Sequence, residues 1–406
     1  MSLNQTPSAE RVHIGFFGMR NAGKSSLVNA VTNQDMSIVS PVAGTTTDPV
    51  RKTMELLPLG PVVIIDTPGL DDEGDLGAQR VEKTLRTLET IDAAVLVIDG
   101  TKGMSEQDRR ILQALRNGKI PHVVACSKAD LEGFALIDGS ASTADAAAAA
   151  HRNVVAVSSA TGQGVEELKN LIAAVAAKDQ EDERYVIGDL VKPGDVVVLV
   201  TPIDGSAPKK RMIMPQQMCI REVLDAHGLV CVSQETELAA LLDTLKADPA
   251  LVVTDSQVFG TVSQIVPDRI PLTSFSILMA RYKGNLDAQL RAVAALDDLQ
   301  DGDRVLISEA CTHHRQCEDI GTVKIPKWIT AHTGKDVTFD FTSGGHFPDD
   351  LSPYRLVVHC GGCMVTEKEM RSRMKRASLQ GIPFTNYGML IAQVNGILER
   401  ATRHLP

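Results

Sequence analysis

The sequence contains no apolar run near the ~20 residues needed to span a bilayer, so no membrane association is expected. Its first eleven residues are polar and lack the apolar segment of a secretory signal peptide, so we expect a cytoplasmic location. In such a compartment the seven cysteines are not expected to form a disulfide framework. The formal net charge of −10 lacks the basic excess typical of nucleic-acid binders, and no nucleic-acid partner is expected.

A chain of 406 residues is long enough for two or three domains, and 43% hydrophobic with 23% charged residues is typical of a soluble globular protein. Apolar strand candidates alternate with helical segments. This pattern predicts an α/β fold, with a first α/β domain followed by two smaller α/β domains that have mainly parallel sheets. We place the domains at residues 1–178, 185–266 and 270–406.

The segment at residues 178–184 is charged and is predicted to link the first two domains. The middle domain shows no catalytic constellation, so dimerisation is one role left for it, and a homodimer is expected. No internal repeat is evident beyond the recurrence of βαβ units. The basic stretch at residues 368–376 is predicted to be a solvated helix face.

The first domain carries a P-loop pattern in its required setting, between an apolar strand and a helix. Glycines let backbone N–H groups face the phosphates, and the helix N-terminus adds a favourable dipole. Lys24 is expected to reach the outer phosphates and Ser25 to ligate Mg²⁺. The residues predicted to bind the phosphates are Gly18, Asn21, Ala22, Gly23, Lys24, Ser25 and Ser26.

Four further motifs follow in the order that a GTPase requires. A polar loop at residues 44–48 offers the Thr46 hydroxyl to the metal, and Asp66 supplies a carboxylate on the magnesium side. Gly69 is a glycine placed near the γ-phosphate, so the predicted catalytic set is Lys24, Thr46, Asp66 and Gly69. The predicted guanine contacts are Ser127, Lys128, Asp130, Ser158, Ser159 and Ala160. Together these motifs predict GTP hydrolysis with Mg²⁺, so the first domain is expected to be a P-loop GTPase domain.

This segment resembles the Era/TrmE-like class of GTPases, in which Asn-Ala-Gly-Lys-Ser-Ser and Gly-Thr-Thr-x-Asp are typical. The resemblance implies that Asn21 helps to hold an activating K⁺ ion. Two departures matter. Ser127 stands where the class carries an asparagine whose amide braces the base and the P-loop, and Leu70 stands where small signalling GTPases carry a water-orienting glutamine. We therefore expect hydrolysis that is slow without a cation or partner, and weakened guanine affinity.

Cysteines and histidines collect after two predicted strands near the C-terminus. Cys311 and His313 follow the apolar run at residues 304–307, and His359, Cys360 and Cys363 follow the run at 356–358. Since open α/β sheets build their sites at the carboxyl ends of strands, both groups are expected in one pocket. Three thiolates with an undecided fourth partner suit an iron–sulfur cluster, or a zinc site completed by histidine.

The Era-like GTPase joined to Cys311-x-His313 and His359-Cys360-x-x-Cys363 resembles the HydF family of FeFe-hydrogenase maturation GTPases over nearly the whole chain. The resemblance implies a 4Fe-4S cluster on Cys311, Cys360 and Cys363. It also implies a scaffold or carrier for a di-iron subcluster precursor. Two radical-SAM maturases would supply that precursor, and apo FeFe-hydrogenase would receive it.

The fourth cluster ligand stays open at this point. His313 and His359 are nearest in sequence, and Glu318, Asp319 or a water are oxygen donors within reach. Cys317 would close the site as a fourth thiolate, and the family pattern does not use it. The alternative function is a tRNA- or ribosome-associated Era/TrmE-like GTPase with a structural zinc domain.

Overall fold

The computed structural model describes residues 8–33, 50–67, 84, 86–137, 153–177, 184–203, 212–310 and 319–406. The chain forms two compact units, Met1–Glu183 and Arg184–Pro406. Each is a parallel or mainly parallel α/β structure, which confirms the predicted fold class. Among the described helices, none is both long enough and apolar enough to cross a membrane.

The first unit is built on a six-stranded sheet in the order β2-β3-β1-β4-β5-β6. Only β2 runs antiparallel to its neighbour. Its strands are β1 Val12–Phe17, β2 Val50–Leu56, β3 Gly60–Asp66, β4 Ala93–Asp99, β5 His122–Ser127 and β6 Val154–Ala156. Its helices are α1 Lys24–Thr32, α2 Glu106–Asn117 and α3 Val165–Ala177.

Strand β4 shows why the sheet forms. All its residues are buried, as expected for a strand covered on both faces by helices. Successive side chains point to opposite faces. Val95 and the residues two positions before and after it pack with Leu27 of α1 and Leu168 of α3. Leu96 and the residues two positions before and after it point to the other face and pack with Leu112 of α2. The carboxyl ends of the parallel strands therefore meet at one edge, where the predicted nucleotide motifs begin.

The second unit contains two four-stranded parallel sheets. The strands are β7 Val196–Val200, β8 Leu229–Ser233, β9 Leu251–Thr254, β10 Leu272–Ser274, β11 Arg304–Glu309, β12 Thr338–Ser343, β13 Leu356–His359 and β14 Phe384–Asn386. The helices are α4 Met214–Asp225, α5 Leu238–Thr244, α6 Phe259–Ile265, α7 Phe275–Lys283, α8 Leu286–Val293, α9 Ile325–Thr333, α10 Glu367–Leu379, α11 Tyr387–Val394 and α12 Leu398–Thr402.

These two sheets repeat each other. The first has the order β8-β7-β9-β10 and the second the order β12-β11-β13-β14. Their registers match as well, since Val197 pairs with Leu251 just as Val305 pairs with Leu356. The other two strand pairings correspond in the same way. Val196 pairs with Leu229 as Arg304 pairs with Thr338, and Val252 pairs with Leu272 as Val357 pairs with Phe384. The recurrence of βαβ units that the sequence indicated is therefore a repeat of strand order and register.

The turns that lead into the two repeats also correspond. Gly194 and Gly302 adopt φ of 87° and 89°, a left-handed conformation that favours glycine. The next residue in each, Asp195 and Asp303, accepts a 2.8 Å hydrogen bond from the backbone N–H three residues earlier. This correspondence equates the strand end Thr254-Asp255 of the first repeat with His359-Cys360 of the second.

The first repeat includes strand β10. Strand β10, after the predicted division at residues 266–270, pairs with β9 and completes the first repeat. One hydrophobic cluster includes Val198 and Val252 of the first repeat with Val305 and Val358 of the second. This shared core explains why the two repeats form a single compact unit.

Candidate functional site

The P-loop connects β1 to α1 through backbone conformations that require its glycines. Gly18 has φ of 148°, and a Cβ there would lie 2.2 Å from the carbonyl oxygen of Val97. Gly23, directly before α1, has φ of 86°. Asn21 is exposed with φ of 63°, a conformation that asparagine tolerates better than most residues. The loop thus presents its backbone at the N-terminus of α1, where phosphate binds favourably.

A buried carboxylate lies beside this loop. Asp66 ends β3 and is 4% exposed, and the Ser25 hydroxyl donates a 2.9 Å hydrogen bond to its Oδ2. Its Oδ1 is buried and has no hydrogen-bond partner among the described residues. Burial raises the pKa of Asp66, and the charge of Lys24 and the Ser25 hydroxyl lower it only in part. A partnerless carboxylate oxygen beside a hydroxyl fits Mg²⁺, which takes oxygen ligands.

On the guanine side, Ser127 ends β5 and is buried. Its hydroxyl lies 2.6 Å from the Ala22 carbonyl oxygen and 3.1 Å from that of Ile98, so its single proton is donated mainly to Ala22. The sequence predicted that serine would lose the brace to the P-loop. In the structure, the Ser127 hydroxyl makes a contact to the P-loop itself.

Lys128 has a partner that the sequence analysis missed. Its Nζ donates a 2.5 Å hydrogen bond to Oδ2 of Asp99, at the end of β4, and Thr101 donates to the other oxygen. Burial would raise the pKa of Asp99, but these hydrogen bonds outweigh it and the pKa is lowered. The Asp99 carboxylate therefore stays charged and holds Lys128 at the strand ends. Only its place at the end of a buried strand signals this role in the sequence.

The other predicted guanine contacts lie on the two neighbouring strand-end loops. Asp130 is exposed, as recognition of a base edge requires. Ser158 is fully buried, and its Oγ accepts hydrogen bonds from the N–H groups of Ala160 and Thr161, both at 3.2 Å. Ser159 is half-buried and Ala160 is exposed. Ser158 therefore shapes the loop, while the residues after it are accessible.

The contact between Ser127 and Ala22 leads to a prediction. Ser127→Ala should weaken GDP affinity about tenfold, because one hydrogen bond that orders the P-loop is lost. Ser127→Asn should bind more tightly than the wild type, because an amide can also reach the base. Titration with a fluorescent guanine nucleotide measures all three affinities. Equal affinities for the three proteins would contradict this account.

The cysteine site lies at the carboxyl end of β13. The Cys360 N–H donates to the Ser308 carbonyl of β11 at 2.9 Å. Cys360 Sγ in turn accepts hydrogen bonds from the N–H groups of Ala310 at 3.1 Å and Gly362 at 3.4 Å. Cys360 and Cys363 are both half-buried. Backbone N–H groups directed at sulfur stabilise the thiolate form, which is the form that binds metals.

His359, directly before this cysteine, is fully buried and uses both ring nitrogens. Nδ1–H donates to the Cys360 carbonyl at 2.7 Å, and Nε2 accepts from Nη1 of Arg373 at 2.9 Å. Burial, together with the charge of Arg373, lowers the pKa of His359 to about 3, so the ring is neutral. To bind iron, His359 would have to give up one of these bonds. The geometry therefore argues against it as the fourth ligand.

Arg373 is a residue whose role the sequence analysis missed. It lies within the basic stretch at residues 368–376 that was predicted to be a solvated helix face, yet it is 3% exposed.

Tyr387 and Glu309 are also buried in the second repeat, and the Tyr387 hydroxyl donates to Glu309 at 3.4 Å. Burial, then the charges of Glu309 and Cys360, raise the pKa of Tyr387. Asp319, a candidate oxygen donor, accepts two 2.8 Å hydrogen bonds from Thr322.

Several predicted site residues lie outside the described residues, namely Thr46, Gly69, Leu70, Cys311, His313, Cys317 and Glu318. Within the described ranges, no group of three His, Cys, Asp or Glu side chains is placed to hold a metal ion. The juxtaposition of Cys311 with Cys360 and Cys363 therefore stays a prediction.

Three protein families match successive segments of the chain. Residues 13–128 match a family described as 50S ribosome-binding GTPase. Residues 186–284 match the hydrogen maturase F dimerization domain, and residues 287–404 match the hydrogen maturase F tetramerization domain. The two maturase segments together cover more than half of the chain, and their boundary falls between the two structural repeats.

Individual relatives match over a smaller part. The chain is 31% identical over 176 residues to the tRNA modification GTPase MnmE of Dechloromonas aromatica, which is 43% of this chain and 37% of that protein. It is 37% identical over 186 residues to GTPase Der of Thermomicrobium roseum, 43% of this chain and 40% of that protein. It thus spans less than half the length of these relatives.

Among solved structures, the G domain of the T. maritima FeoB iron transporter is 26% identical, with a TM-score of 0.31, over 41% of this chain and 99% of that one. This score is too low to support a structural argument. The GTPase segment and the two successive maturase segments do identify the protein: the chain belongs to the hydrogen maturase F (HydF) family.

Proposed function

We propose that this GTPase is a scaffold or carrier that binds a 4Fe-4S cluster and assembles or delivers the di-iron subcluster precursor to apo FeFe-hydrogenase. The observation that carries the proposal is the Cys360 thiol, held by two backbone N–H groups at a strand end inside a hydrogen maturase F domain. Two radical-SAM maturases are proposed as the source of the precursor. A cytoplasmic location is part of the same proposal.

In the nucleotide site, each side chain has a separate task. Lys24, the first residue of α1, would balance the charge on the outer phosphates. Ser25 and Asp66 would hold Mg²⁺ through the hydroxyl and the partnerless Oδ1, and Thr46 is proposed to complete the ligand set. Bound Mg²⁺ supplies charge neutralisation on the β- and γ-phosphates. Ser127 orders the P-loop from the guanine side.

In the cysteine site, Cys311, Cys360 and Cys363 would hold three irons of the cubane. The donor set fits, since iron–sulfur clusters are bound by thiolates and tuned by hydrogen bonds to sulfur. The fourth iron would then be free to take a displaceable ligand or an incoming iron complex. His359 is occupied by Arg373, so His313 is the histidine that remains as a fourth-ligand candidate.

The alternative of a tRNA- or ribosome-associated GTPase with structural zinc gains no support beyond the GTPase segment. The relative named a tRNA modification GTPase matches over 43% of this chain. Both hydrogen maturase F segments lie in the remainder, from residue 186 onward. Zinc also accepts cysteine ligands, so metal analysis must decide between the two metals.

A transfer assay tests the proposed function. The chain is purified anaerobically after coexpression with both radical-SAM maturases and is mixed with apo FeFe-hydrogenase. Hydrogen evolution should appear with this protein and stay absent when it was expressed without the maturases. Equal hydrogen evolution from both preparations would contradict a carrier role.

A homodimer is proposed to form through the free edge of strand β8. This strand ends its sheet, and Leu229 and Val232 on it are 57% and 46% exposed. Exposed edge strands with apolar side chains are prone to pair with another chain, and this strand lies in the segment that matches a dimerization domain. Val232→Lys should shift the protein toward monomer in sedimentation experiments, and an unchanged mass would exclude this edge.

Potassium is predicted to accelerate GTP hydrolysis relative to sodium. Asn21 is exposed on the P-loop and offers a side-chain carbonyl oxygen to a monovalent cation beside the phosphates. Rates are compared in KCl and NaCl at equal ionic strength, for the wild type and for Asn21→Ala. The variant should lose the difference between the salts. Equal rates for the wild type in both salts would refute the cation site.

A further inference from the structure

Arg373 on α10 is a buried charge with a full set of partners. Its guanidinium donates to His359 Nε2 at 2.9 Å, to the Gly344 carbonyl at 2.8 Å and to Glu369 at 2.5 Å. It also lies over the ring of Phe347, 5.4 Å from the centroid. Because burying a charge is costly unless it is paired and hydrogen-bonded, this arrangement is a built feature of the domain.

The contacts continue from Arg373 to the cysteine. With Nε2 accepting from Arg373, His359 must carry its proton on Nδ1, which donates to the Cys360 carbonyl at 2.7 Å. The imidazole is stacked on Phe384 with the rings 24° from parallel. The N–H of Cys360 is bound to Ser308 on the other side. The peptide groups on both sides of Cys360 are therefore fixed, and the N–H groups of Ala310 and Gly362 hold its Sγ.

The first repeat provides an internal comparison. Its equivalent strand end is Thr254-Asp255, where Thr254 is fully buried and its hydroxyl lies 3.3 Å from the Asp255 carbonyl. The Asp255 carboxylate accepts a 3.0 Å hydrogen bond from the backbone N–H two residues later. Cys360 Sγ also accepts from the N–H two residues later, at 3.4 Å. The same strand end thus forms with a threonine. A buried imidazole backed by an arginine is added in the copy that carries the cysteine.

We propose that Arg373, acting through His359, is a positioning residue that holds the Cys360 thiolate in the orientation that the cluster requires. The proposal rests on the proposed function, because it assigns the pair to cluster binding. His359 then serves as a support for a ligand, in the way that outer-shell groups orient metal ligands.

The test compares Arg373→Gln with Arg376→Gln. Arg376 lies three residues later on the same helix and over the same Phe347 ring, but it donates to the carbonyls of Phe347 and Pro348. Both variants are reconstituted with iron and sulfide under anaerobic conditions. Arg373→Gln should lose iron to a chelator about 10- to 100-fold more readily than the wild type. The g values of its reduced cluster should shift, and Arg376→Gln should match the wild type in both measurements.

Arg373→Lys is included because Arg373→Gln could fail to fold, which thermal unfolding of the cluster-free proteins reveals. A lysine keeps the buried positive charge but lacks the planar fork that binds His359 and Gly344 together, so its shift in g values should be smaller than that of Arg373→Gln. Wild-type g values and iron retention in every folded Arg373 variant would overturn the inference, as would equal effects of Arg373→Gln and Arg376→Gln. A wild-type chain that takes up no cluster would overturn the proposed function itself.

Discussion

Replacing Lys24 with alanine should lower the rate of GTP hydrolysis by about 10²- to 10³-fold, the usual effect of removing one group that stabilises transition-state charge. Lys24 is 7% exposed and begins α1 directly after the glycine turn of the P-loop. We expect its ammonium group to face the outer phosphates. Phosphate release under saturating GTP and Mg²⁺ measures the effect.

The same substitution has a second consequence at Asp66. Burial raises the pKa of this carboxyl, and Lys24 opposes that rise. Without Lys24 the pKa of Asp66 should rise further, so the variant should require more Mg²⁺ as the pH falls. Lys169→Ala, which removes a lysine whose partner Glu166 is exposed on α3, is the matched control and should hydrolyse GTP at the wild-type rate. A wild-type rate for Lys24→Ala would contradict the assignment of the P-loop.

Cys360→Ser should abolish cluster binding and leave GTP hydrolysis near the wild-type rate. The serine oxygen is a poorer ligand for iron than a thiolate, and the nucleotide residues belong to the other structural unit. Cys311→Ser and Cys363→Ser should behave in the same way. Iron content and the visible absorbance of anaerobically reconstituted protein measure the loss.

Two cysteine substitutions serve as controls for this result. Cys231 is a half-buried free thiol on β8 in the first repeat, so Cys231→Ser should retain the cluster. Cys317→Ser should also retain it, because the proposed site uses three cysteines and leaves one iron open. Loss of the cluster in Cys317→Ser as complete as in Cys360→Ser would exclude the open-iron arrangement.

The sequence predicted those parts of the sites in which the chemistry dictates residue type and spacing. Phosphate binding needs glycines before Lys24 and a strand end at Asp66, and the structure brings Ser25 and Asp66 within hydrogen-bond distance. The rule that sites lie at the carboxyl ends of parallel strands also placed Cys360 next to the end of β11, where Ala310 donates to its sulfur.

Other features depend on tertiary contacts that no local pattern encodes. Arg373 has the same charge as its neighbours on α10, and only packing shows that it is buried while Arg376 is half-buried. The serine hydroxyl of Ser127 reaches Ala22, which is 105 residues away in the chain. From the sequence, serine seemed too short to replace an asparagine at this position. In the structure it still contacts the P-loop.

The full extent of the internal repeat is hard to see in the sequence, because the two copies share turn residues and apolar strands rather than sequence identity. Leu251-Val252-Val253 and Leu356-Val357-Val358 are the same residue types, but such runs occur in any buried parallel strand. Strand order and register are what establish the relation. The predicted division at residues 266–270 falls before β10, because the turn there resembles a linker in sequence but leads to the last strand of the sheet.

The central claim is that the second repeat carries an iron–sulfur cluster, and metal analysis of the anaerobically purified chain tests it most directly. Iron, acid-labile sulfide and zinc are measured per chain, and the dithionite-reduced protein is examined by electron paramagnetic resonance. The account predicts about four iron and four sulfide per chain, with a resonance from a reduced 4Fe-4S cluster. A colourless protein with one zinc per chain and no resonance would contradict it.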